Sequence, residues 1–62
     1  MEFRNTTNGN YARIIKQAEK EFVLLMGYET KSFEAYGNQT ITNRKVFKSE
    51  KAAVKKAEQY IN

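Results

Sequence analysis

The chain has no cysteine, no histidine, no tryptophan and no proline, and its seven acidic residues are all glutamate. Without cysteine there is no disulfide framework, no thiolate metal site and no thiol nucleophile. Without histidine, the commonest metal ligand and the usual general base at neutral pH are also missing. Gly9, Gly27 and Gly37 stand alone, so no glycine-rich phosphate loop occurs and each glycine reads as a turn or a cap. Each glutamate has a lysine or arginine within four residues, which marks ordinary surface pairing rather than a catalytic carboxylate. These absences predict a non-catalytic protein with no cofactor and no metal. No apolar run approaches the ~18 residues of a membrane span, and Met1–Asn5 does not read as a signal peptide. The expectation is a soluble, cytoplasmic chain with no membrane partner.

What is present is small and basic. Sixty-two residues make one domain, 1–62, near the lower end of what folds unaided. A core of that size supplies at most roughly 3–5 kcal/mol, so a homodimer or a bound partner would help. The net charge is +4, and all of the surplus lies C-terminal. Cations and acids cancel over residues 1–30, whereas Arg44, Lys45, Lys48, Lys51, Lys55 and Lys56 face only Glu50 between positions 44 and 56. That asymmetry is the main functional clue.

The same region holds the clearest element. Ser49 suits an N-cap, Glu50 suits the positive end of the helix dipole, and good helix formers follow from Ala52. Ala53, Val54, Ala57, Tyr60 and Ile61 make one apolar stripe at helical spacing, and the two alanines imply close approach to a sheet. Before the cap, Thr40–Phe47 is rich in β-branched residues and reads as a strand, after a turn at Gly37-Asn38-Gln39. Tyr28–Tyr36 reads as extended but irregular.

Residues 11–26 admit two readings. As a helix, which is preferred, Tyr11, Ile14, Ile15, Ala18, Phe22, Leu25 and Met26 share an arc of roughly 120°, Asn10 caps the start and Gly27 the end. As a β-hairpin, residues 11–16 and 21–26 are the strands, and the turn Gln17-Ala18-Glu19-Lys20 lacks the usual turn residues. Residues 1–9 are either a flexible terminus or a short strand Glu2–Arg4 followed by an Asn8-Gly9 turn of the type I′ kind.

The fold expected is therefore a small two-layer α+β domain, an antiparallel sheet of two to four strands covered by a C-terminal helix. The function expected is binding of DNA or RNA through Arg44, Lys45, Lys48, Lys51, Lys55 and Lys56. Fixed cations would contact phosphates, while Tyr28, Phe33 or Tyr36 would stack on bases. Arg44 and Lys45 point to opposite faces of their strand, so only one can join the surface the sheet presents. The alternative is a small bacterial or phage accessory protein that binds or inhibits another protein, using its aromatics as anchors and its charge to steer toward an acidic surface of that partner, a reading to which the Lys-, Asn- and Ile-rich composition lends itself.

Phe47-Lys48-Ser49-Glu50-Lys51-Ala52-Ala53 resembles the strand-into-helix ending of the small arm-binding domains of phage-type integrases. Those domains place a three-stranded sheet in the major groove of DNA. The resemblance covers about a quarter of the chain, on a motif common among sheet-plus-helix domains, and it does not assign the chain to that family. A helix over 11–26 is incompatible with it.

Overall fold

Phe47 ends a strand, Lys48 and Ser49 turn the corner, and the Ser49 hydroxyl accepts from the Ala52 N–H at 3.2 Å to start the helix. The computed structural model describes residues 1–31 and 37–62. It contains β1 (Glu2–Arg4), β2 (Asn10–Ala18), β3 (Glu21–Lys31), β4 (Gly37–Phe47) and α1 (Glu50–Ile61). The strands form one antiparallel sheet in the order β1-β2-β3-β4. α1 packs across one face of it, giving the two-layer α+β architecture.

Residues 11–26 form the hairpin and not the preferred helix. The physical reason lies in β3, which is apolar on both faces. Phe22, Leu24 and Met26 point toward α1, and Val23 and Leu25 point away. Val23 and Leu24 would have faced solvent on a helix, yet they are 5% and 0% exposed. Burial on both sides of a central strand outweighs the coincidence that seven apolar side chains also match a helical arc. The turn residues Glu19 and Lys20 follow the Ala18↔Glu21 pair, and neither has positive φ. Ordinary residues therefore suffice, while a bulge between Lys16 and Ala18 takes up the twist that such a turn mismatches.

Three further expectations change. Tyr28–Lys31 continues β3, residues 32–36 of the stretch expected to be irregular lie outside the described residues, and Gly37-Asn38-Gln39 opens β4 instead of turning. Asn8-Gly9 is not a type I′ turn, which needs positive φ at both residues. Only Gly9 has it, at 79°. The β1–β2 connection is a longer loop closed by the Gly9 N–H donating to the Asn5 carbonyl at 2.8 Å. The short-strand reading of the N-terminus is what forms, since Glu2–Arg4 pairs with Tyr11–Arg13.

Register sorts the side chains into two faces. Ala12, Ile14, Phe22, Leu24 and Met26 meet Ala53 and Ala57 in the core, with Phe3, Phe47, Val54, Tyr60 and Ile61 around them. On the other face, the rows Glu2–Arg13–Leu25–Arg44, Ile15–Val23–Val46 and Arg4–Tyr11–Gly27–Ile41 run across the strands. Among the described residues, no element covers this second face.

Candidate functional site

The cations singled out by the sequence separate onto the two sides of the molecule. Alternation along β4 puts Lys45 in the row of Ile14 and Leu24, on the side of α1, and Arg44 in the row of Arg13 and Leu25, on the open face. Lys48 lies in the corner between β4 and α1. Lys51 and Lys55 are one turn apart and, at 100° per residue, lie roughly opposite Ala53 and Ala57 on the outer side of the helix. All of these are exposed, whereas Lys56 flanks the buried stripe and is half-buried. Tyr36 and Phe33 lie outside the described residues. Tyr28 is 45% exposed and sits between Asn10 and Thr40.

One cation on the helix side escaped sequence reasoning. Lys16 shares the row of Phe22 and Phe47, with its ammonium 5.8 Å from the Phe22 ring. It therefore stands at the sheet end where Lys48 enters the helix, one row from Lys45. A helical reading of residues 11–26 scatters that relation. The period-2 alternation from Ala12 through Ile14 to Lys16 is the signal that carries it.

Among the described residues, the ion pairs gather on Arg4 alone, which lies 3.2 Å from Glu29 and 3.8 Å from Glu2. None of Lys16, Lys45, Lys48, Lys51 or Lys55 has a carboxylate within ion-pair distance among the described residues. The helix side is thus a set of unpaired lysines with Glu50 and Glu58 as its helical acids. Among the described residues the open face is close to neutral: Arg4, Arg13 and Arg44 against Glu2, Glu21 and Glu29.

The open face also holds the most perturbed pair. The Tyr11 hydroxyl donates to Glu2 Oε2 at 2.5 Å, beneath the Arg4 guanidinium, which lies 5.6 Å from the tyrosine ring centre. Burial first, and then the bond to Glu2, push the Tyr11 phenol up to about 12. The same bond, helped by Arg4, Arg13 and the N-terminus against a smaller effect of burial, holds the Glu2 carboxyl below its ordinary value. Tyr11 is nonetheless 2% exposed, so this pair fixes β1 onto β2 and offers no reactive group. No cluster of potential metal ligands occurs among the described residues. Comparison with known proteins finds no matching family model, no similar curated protein and no similar solved structure.

Proposed function

We propose that this protein is a non-catalytic binder of nucleic acid, holding the phosphate backbone with lysines on the helix side of the domain. The observation that supports this reading most is that Lys16, Lys45, Lys48, Lys51 and Lys55 all lie on the helix side of the domain, without carboxylate partners among the described residues. Lysine ammonium groups are point charges suited to phosphate, and phosphate contacts carry no sequence information. Binding is therefore expected to be weakly selective for sequence and steeply dependent on salt. Arg44, on the opposite face, does not belong to this surface, and Lys56 is too enclosed to lead it.

The test is fluorescence anisotropy with duplex DNA, single-stranded DNA and RNA of about 20 nucleotides, across ~50–200 mM salt. Each phosphate contact contributes ~0.7–0.9 to the slope of log K against log salt. Lys48→Gln, Lys51→Gln and Lys55→Gln together should flatten that slope by roughly 2–3. Absence of binding to all three probes at ~100 mM salt sinks the reading and favours an acidic protein surface as the partner of these lysines.

A further inference from the structure

We infer that the open face of the sheet is a self-association surface, on which a second copy of this chain packs face to face to make a two-sheet sandwich. The inference does not depend on the nucleic-acid reading.

Composition separates the two sides first. Ile15, Ile41 and Val46 on this face are 41%, 42% and 52% exposed, and Val23 and half-buried Leu25 lie between their strands. Ile15 and Val46 flank Val23 in one row, with Ile41 further along β4 beyond Arg44, and no element lies over them among the described residues; an exposed aliphatic row on an open sheet face is a candidate contact surface. A polyanion needs surplus cations, but this face is nearly balanced and its Arg4 is already paired with Glu2 and Glu29. The surplus charge is on the helix side, which leaves the open face free for an apolar contact.

Charge arrangement then points to a second copy. One row reads Glu2–Arg13–Leu25–Arg44, with an acid on β1 at one sheet edge and a cation on β4 at the other. A two-fold axis parallel to the strands, between β2 and β3, lays β1 of each copy over β4 of the other. It keeps every row level, so each Glu2 faces the second copy's Arg44. The same operation sets Ile15 of each copy over Val23 of the other, while Val46 reaches past the start of β1 and Ile41 lies over the aliphatic stem of Arg4. A face that matches itself under one rotation is what a closed two-fold dimer requires. Aligned sheets pack ~10 Å apart through such interlocking side chains.

Size sets the strength. Four strands at ~4.8 Å spacing and about nine residues at ~3.4 Å give a face on the order of 500 Å² per copy. The total of ~1,000 Å² is at the low end of specific interfaces, so the dimer forms at micromolar to high-micromolar concentration. Contact through apolar rows should make it insensitive to salt.

Sedimentation velocity from about 5 μM to 1 mM, without nucleic acid, tests this. The parent should pass from monomer to dimer with less than about threefold change in Kd between 0.1 and 0.5 M NaCl. Ile15→Thr, Ile41→Thr and Val46→Thr together keep strand propensity and should raise Kd at least tenfold. The orientation has its own test. Glu2→Arg and Arg44→Glu each place like charges face to face and should each be monomeric, while their equimolar mixture should recover the dimer. Circular dichroism and thermal melts establish that each variant is folded. If Glu2→Arg fails to fold, the threonine variant decides the face. A parent that stays monomeric to 1 mM, or a dimer unaffected by the threonine substitutions, overturns the inference. None of these outcomes bears on whether the lysines bind nucleic acid.

Discussion

At Gly27 there is no room for a side chain against the neighbouring strand. A β-carbon built there lies 1.8 Å from the Thr40 carbonyl oxygen and 2.9 Å from Ile41 Cα. Both are backbone atoms beside the irregularity where the β3–β4 register shifts. Neither can rotate away, so Gly27→Ala must open the β3–β4 ladder and should cost at least about 1–3 kcal/mol. That corresponds to a fall in Tm of roughly 4–8 °C per kcal/mol for a domain this small. Gly37→Ala is the control, because its β-carbon meets only the Glu29 side chain, at 2.6 Å from Cγ, and that chain can move. Thermal melts should show a large shift for the first and a small one for the second. Equal shifts would mean that Gly27 is not held against Thr40.

Tyr11 and Glu2 are legible at the same scale through pH. The phenol is raised to about 12 from 10.0, so its stabilisation is complete below pH 10 and lost as pH rises toward 12. The Glu2 carboxyl is lowered from 4.5, so its stabilisation is present above that value and lost as pH falls through the folded one. The difference between parent and Tyr11→Phe is the useful quantity, because it cancels the pH dependence common to both. Urea unfolding should give a difference of about 0.5–1.5 kcal/mol, flat from roughly pH 5 to 9.5 and closing at both ends. A difference independent of pH would mean that the hydroxyl does not bond a carboxylate.

At the scale of elements, α1 was fully legible and the β2–β3 hairpin was not. Ser49, Glu50, Ala53 and Ala57 each have one reading, because a cap, a dipole partner and two small contact residues all demand the same helix. Residues 11–26 satisfy two periods at once. Tyr11, Ile14 and Phe22 serve either a helical arc or alternate strand positions, and only tertiary burial of Val23 and Leu24 decides. The pairing that placed Lys16 beside Phe22 and Phe47 was hidden for the same reason. The helix C-terminus was hidden too. Asn5 and Asn8 donate side-chain amides to the Ile61 carbonyl at 2.9 and 3.0 Å, and Asn10 donates to the Tyr60 carbonyl at 3.2 Å. No basic residue occupies the last turn, and these neutral donors from the β1–β2 loop replace it. Asn5→Asp keeps the acceptor that holds the Thr7 N–H but removes the amide donor and adds negative charge at the negative helix end. It should cost about 1–2 kcal/mol at neutral pH, and part of that loss should return once the new carboxyl is protonated near pH 3. A variant as stable as the parent would show that the loop does not cap the helix.

The whole molecule is a single sheet whose two sides differ in charge, and that difference yields the most demanding expectation. Among the described residues, lysines without carboxylate partners lie on the helix side, and a nearly neutral surface lies on the other. If the two sides carry two separate associations, substitutions on one side must leave the other unchanged. The Lys48→Gln, Lys51→Gln and Lys55→Gln variant should lose roughly 2–3 from its salt slope with nucleic acid while its self-association constant stays within about threefold of the parent. The Ile15→Thr, Ile41→Thr and Val46→Thr variant should do the reverse. Measured below the parent's dimerisation range, it should keep the parent's salt slope, because it changes no charge. In the face-to-face dimer the two helix sides point in opposite directions, so one straight duplex meets one lysine surface at a time and dimerisation adds no second contact to it. A threonine variant that also loses its salt slope would place nucleic acid on the open face, and the division of labour between the two sides would fail.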